Sequence, residues 1–134
     1  MADVVADTNI IVIWYFTNPK QLSVTAENAV DSAAASGIVF VSSITIVELI
    51  YLIEKGKIRD DVLDLLRNAL DDSTTGFRLV EIGRKIAEGL SRIPRSIVAD
   101  MPDRIIAATS LHLGLPLITS DGDIRKLTSI ITIW

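Results

Sequence analysis

Three observations predict an α/β fold with a parallel sheet covered by helices on both faces. Segments of strand character alternate with helical stretches along the chain. The strand segments are apolar throughout, as strands buried on both faces are; IVFV at Ile38–Val41 and PLI at Pro116–Ile118 are examples. The 134 residues suit one domain whose core needs no staples. Residues 1–134 therefore read as a single domain, with no repeat, low-complexity stretch or linker to divide them.

The elements follow in order. Asp3–Ala6 is a strand running into Asp7, and Asn9–Phe16 begins a helix that Pro19 must break. Ala-rich Thr25–Ala35 is a helix stopped by Gly37. Ile38–Val41 is a strand, and Ser42 or Ser43 caps a helix through about Lys55, closed by Gly56. Within Asp60–Leu70, Val62, Leu65, Leu66 and Leu70 recur at helical spacing. Phe77–Val80 is a strand and Arg84–Leu90 a helix. Pro102 suits the first residue of a helix reaching Leu113, with Gly114 after it. Pro116–Ile118 and Ile130–Trp134 are the last strands.

Composition narrows the chemistry. At 49% hydrophobic and 22% charged residues, the chain is globular. It has no cysteine, which excludes disulfides and thiolate metal sites and suits a reducing cytoplasm. His112 is the only histidine, so a His-rich zinc site or a Ser-His-Asp triad is hard to build. No basic segment precedes an apolar core in the manner of a signal peptide. The longest apolar runs, such as Ile10–Phe16, are too short to span a bilayer, so no membrane association is expected. The net charge is −4, whereas proteins that grip phosphates unaided are usually basic. A nucleic-acid partner would need a local basic patch, or a metal between acid and phosphate.

Ligands bind open α/β sheets at the carboxyl ends of the strands. Asp7 lies at one such end, and Thr119-Ser120-Asp121-Gly122-Asp123 at another. Glu48 is the most informative acid. It stands in ITIVELIYLI, where its neighbours three and four residues away are Ile44, Thr45, Tyr51 and Leu52. None is cationic, so no local ion pair explains it, and a carboxylate buried without a partner is unfavourable. Asp103 sits in the first turn of the Pro102 helix, where an acid also favours the dipole. The small residues Ala107, Ala108, Thr109 and Ser110 let that helix pack close to the sheet. Each acid has a plainer use: Glu48 could point to solvent, Asp103 could serve the helix dipole, and Asp7, Asp121 and Asp123 could be cap or turn residues, with Arg125 available to pair with Asp121. Together, carboxylates at one sheet edge repel unless a cation sits among them. Oxygen-only donors of this kind suit Mg²⁺ or Mn²⁺.

VVADTN at the start, a Glu in the helix after the second strand, and PDRIIAATSLHLGLPLITSDGDI near the end form an ordered set. In these, essentially over its whole length, the chain resembles the PIN-domain family, most closely its VapC-like toxin ribonucleases. The resemblance implies a three-layer sandwich with sheet order 3-2-1-4-5 and an acidic Mg²⁺ or Mn²⁺ pocket. It maps catalytic, metal-binding acids onto Asp7, Glu48, Asp103 and Asp121, with Asp123 acidic in only some members. Thr8, Asn9, Thr119 and Ser120 correspond to supporting polar residues of the pocket. The implied reaction is endonucleolytic hydrolysis of RNA, including structured RNA such as tRNA, leaving a 5′-phosphate and a 3′-hydroxyl. The implied partners are a small antitoxin and a second copy in a homodimer.

Arg92, Arg95 and Arg104 around the Pro102 turn are candidates for gripping substrate; Lys55, Lys57 and Arg59 more readily read as solvated surface. His112 suits a helix C-terminus and needs no catalytic role. Trp14, Tyr15, Phe16, Tyr51 and Trp134 could line a partner surface, although core packing is commoner. A phosphoacceptor receiver domain fits less well, because it needs a lysine at a late strand end and none occurs until Lys126. A dehalogenase-like phosphatase wants a second Asp where Asn9 stands. A non-catalytic binding module on a PIN scaffold is the main alternative.

Overall fold

In the computed structural model, residues 3–8 and 12–134 are described. Five strands form one sheet: β1 (Val4–Ala6), β2 (Val39–Ser42), β3 (Phe77–Val80), β4 (Leu117–Ile118) and β5 (Thr132–Ile133). Their order is β3-β2-β1-β4-β5 and every pairing is parallel, as the resemblance implied. The helices are α1 (Ile13–Thr17), α2 (Val24–Ser36), α3 (Ser43–Glu54), α4 (Val62–Asp71), α5 (Arg84–Gly89) and α6 (Met101–Leu113).

The strand period of two divides the core. Val4 and Ala6 of β1 face one side, with Val39 and Val41 of β2, Val30 of α2, Leu49 of α3 and Leu66 of α4. Val5 faces the other, with Leu117 of β4, Ile86 of α5 and Ile106 to Ala108 of α6. Apolar side chains on both faces explain the unbroken apolar strands. Trp14, Tyr15, Phe16 and Trp134 pack against the first of these cores, and the Phe16 and Phe77 rings lie 5.4 Å apart. For those four, core packing is the observed use.

Helix ends follow local chemistry. Ser23 caps α2 by accepting from the Ala26 amide at 3.0 Å, and Ser42 caps α3 by accepting from Ile44 at 3.2 Å. Gly114 takes the left-handed conformation (φ 66°) that ends α6. Two expectations shift. Pro102 is the second residue of α6, because Asp100 is the cap and Met101 comes first. The last strand is confined to Thr132–Ile133, where the ladder to β4 runs. The expected start of the first helix at Asn9 lies outside the described residues.

Gly76, entering β3, has φ +79°, and a Cβ there would lie 2.6 Å from the Ala34 carbonyl oxygen of α2. Gly76→Ala should therefore destabilise the fold by about 1–3 kcal/mol from backbone strain alone, with the clash added. Urea unfolding of the two proteins checks this; an unchanged midpoint would contradict it.

Candidate active site

Asp7 stands immediately after β1, the central strand, and its amide donates to the Ile118 carbonyl of β4 at 3.1 Å. Its side chain is 3% exposed. Oδ2 accepts from the Thr119 hydroxyl at 2.7 Å, across 112 residues of sequence, while buried Oδ1 has no hydrogen-bond partner among the described residues. The Thr119 oxygen also accepts from the Asp121 amide at 3.0 Å, so one hydroxyl ties two candidate acids together. Burial pushes the Asp7 carboxyl above its ordinary range, the Thr119 hydroxyl and Thr8 amide pull it down, and Asp121 and Asp100 push it further up.

β2 feeds α3 without a loop, which brings Glu48 to the same edge. Glu48 is half-buried, and its Oε1 is fully enclosed with no hydrogen-bond partner among the described residues. Burial raises its carboxyl first, the Thr8 hydroxyl lowers it, and Asp7 and Asp100 raise it. Among the described residues, none of these influences is cationic.

Asp103 is half-buried in the first turn of α6. Burial and then the charges of Asp7, Asp100, Asp121 and Glu48 push its carboxyl up to about 8. Five acids thus share one field at the carboxyl edge of the sheet. One of them, Asp100, was not foreseen. It caps α6 by accepting from the Asp103 amide at 3.2 Å. The signal was an Asp two residues before Pro102, a capping position that also faces this edge.

Asp121 serves a turn as well as the cluster: its Oδ1 accepts from the Asp123 and Ile124 amides, each at 2.9 Å. Thr8 and Thr119 are fully buried at the site and Ser120 is half-buried; Asn9 lies outside the described residues. Three of the expected residues have other contacts in this structure. Asp123 is exposed and pairs with Lys126 at 3.3 Å. The anticipated pairing of Arg125 with Asp121 is not made, because backbone amides hold that carboxylate. Arg104, expected to grip substrate, donates from Nη2 to the carbonyls of Leu90 at 2.8 Å and Ile93 at 3.0 Å and clasps the preceding turn to α6. Arg92 and Arg95 are exposed and could still reach a ligand.

A groove of about 350 Å³ adjoins the acids, lined by Ile44, Val47, Glu48, Tyr51, Leu52, Asp100 and Pro102. Among the described residues, no three His, Cys, Asp or Glu side chains are gathered closely enough to hold a metal ion as they stand. The donor chemistry nonetheless fits a hard divalent cation. The donors are all oxygen, two of them are buried without partners, and the acids raise one another's affinity for positive charge.

The raised Asp103 carboxyl has a consequence for stability. Unfolded, it ionises near its ordinary value of 3.8; folded, it keeps its proton up to about 8. The metal-free fold holds a proton that the unfolded chain has released, so its stability falls as pH rises from about 4 to about 8. Asp103→Asn removes that loss. The melting temperature of the metal-free variant should gain on the parent's between pH 5 and pH 8 and level off above. A difference independent of pH would contradict the assignment.

The chain matches the PIN domain family over residues 4–129. It is 28% identical to Ribonuclease VapC22 of Mycobacterium tuberculosis over 136 residues, covering 100% of both chains. Its fold is similar to that of VapBC2 from Rickettsia felis bound to a promoter DNA fragment, with a TM-score of 0.71, 18% identity and coverage of 97% of this chain and 96% of that one. A toxin-antitoxin complex from Klebsiella pneumoniae is similar at a TM-score of 0.65 and 21% identity, covering 96% of each chain. With the sheet order and the acidic edge already in place, the match over residues 4–129 settles the family: this chain belongs to the PIN domain family.

Proposed function

We propose that this chain is a metal-dependent endoribonuclease that hydrolyses RNA phosphodiester bonds, and that it is the toxin of a toxin–antitoxin pair. One observation carries the reading. Asp7 is buried at the end of the central strand with an oxygen left unpartnered, in the field of Glu48, Asp103 and Asp121. The curated relative named a ribonuclease and the structural neighbours named as toxin–antitoxin assemblies support it.

In this reading Asp7, Glu48, Asp103 and Asp121 hold Mg²⁺ or Mn²⁺. When bound, such an ion lowers the pKa of water and neutralises charge building on the phosphate. Thr119 keeps Asp7 aimed by donating to Oδ2, which leaves Oδ1 for the ion. Asp100 fixes the first turn of α6 and so the place of Asp103. Exposed Arg92 and Arg95 would help grip the RNA. The whole chain would work as one domain. The exposed apolar residues Val47, Ile50 and Tyr51 of α3, with Met101, offer a surface beside the acids to an antitoxin or a second copy. No described helix is long and apolar enough to cross a membrane, which agrees with action on RNA in the cytoplasm.

The test is incubation of a mixed structured RNA pool, tRNA included, with purified protein in Mg²⁺, Mn²⁺ or EDTA. Cleavage should require the metal and leave 5′-phosphates. Asp103→Asn should cleave at least about 100-fold more slowly, near 3 kcal/mol of transition-state stabilisation. Absence of cleavage from folded, antitoxin-free protein in either metal would overturn the nuclease reading in favour of a binding module.

A further inference from the structure

Thr45 is the one polar residue besides Glu48 in the run ITIVELIYLI. It lies three residues before Glu48, on the same face of α3. It is completely buried, and its hydroxyl lies 2.7 Å from that of Thr8, also completely buried. Two other helical threonines bond to their own helix: Thr17 donates to the Ile13 carbonyl at 2.7 Å and Thr109 to the Ile105 carbonyl at 2.8 Å. Thr45 instead reaches across to the chain leaving β1, where Thr8 follows Asp7. Valine would fill the same apolar space without the demand of a buried hydroxyl, so the hydroxyl needs a reason.

The place of the bond supplies one. This link joins the end of β1 to the first turn of α3. Asp7 immediately precedes Thr8, and Glu48 lies about one turn beyond Thr45; these are the acids whose buried oxygens lack partners. We propose that Thr45 is a positioning residue: through Thr8 its hydroxyl sets the spacing of Asp7 and Glu48, and with it the affinity for a divalent cation. The inference rests on the metal-dependent reading above.

The test measures Mn²⁺ affinity by electron paramagnetic resonance in the full chain, alongside the melting temperature of each metal-free protein. Thr45→Val should bind Mn²⁺ about tenfold more weakly or worse, while its metal-free melting temperature moves by only a few degrees. Thr45→Ser, which keeps the hydroxyl, should bind like the parent. Thr8→Val breaks the same link from the other side and gives the same readout should Thr45→Val fail to fold. Parent-like affinity in both valine variants would overturn this inference alone, as would a serine variant as weak as the valine one. A parent without measurable Mn²⁺ binding would remove the metal-dependent reading and this inference together.

Discussion

A carboxylate buried at the end of the central strand is the constraint on which the rest of the structure depends. Asp7 is held in a place where its charge is poorly solvated, and each neighbouring element supplies part of the compensation. Strand β4 lies beside β1 and brings the Thr119 hydroxyl to Oδ2. The chain leaving β1 brings the Thr8 amide. Strand β2, on the other side, turns directly into α3, whose Thr45 bonds to Thr8 and whose Glu48 adds like charge instead of relief. These groups satisfy one oxygen and leave the other open. The acids around it then raise each other's pKa values instead of lowering them. Such a site stores affinity for positive charge, at a cost in metal-free stability that rises with pH.

Much of this was legible in the sequence, for local reasons. Parallel strands buried on both faces read as apolar runs, and helix ends announce themselves through Ser23, Ser42 and glycines such as Gly114. Glu48 stood out because nothing within one helical turn could neutralise it. What escaped were facts of direction and distance. Arg104 adjoins Asp103 in sequence, but successive helical residues diverge in direction, and Arg104 turns to the carbonyls of Leu90 and Ile93. Asp123 and Asp121 are two residues apart, yet one pairs with Lys126 at the surface and the other caps its own turn. The bond from Thr119 to Asp7 spans nearly the whole chain, and no local pattern predicts its geometry. Asp100 was hidden by its own good excuse, since a helix cap needs no second role.

The groove beside the acids gives the site a mixed character. Its lining mixes carboxylates, from Glu48 and Asp100, with apolar side chains, from Ile44, Val47, Tyr51 and Leu52. Phosphate alone would not call for the apolar lining. The basic residues expected to help are only partly available, because Arg104 is committed to the fold while Arg92 and Arg95 remain exposed. The chain as a whole carries a net charge of −4, so positive charge at this face is scarce.

The central claim is that the orphaned oxygens of Asp7 and Glu48 exist for a divalent ion, and the most direct measurement is a crystal structure of the chain soaked in Mn²⁺, read by anomalous scattering. The account predicts a strong peak within coordination distance, about 2.0–2.3 Å, of Asp7 Oδ1, with Asp103 and Glu48 drawn toward it. An anomalous map empty at Asp7 at saturating Mn²⁺, or peaks confined to surface acids such as Asp123, would contradict it.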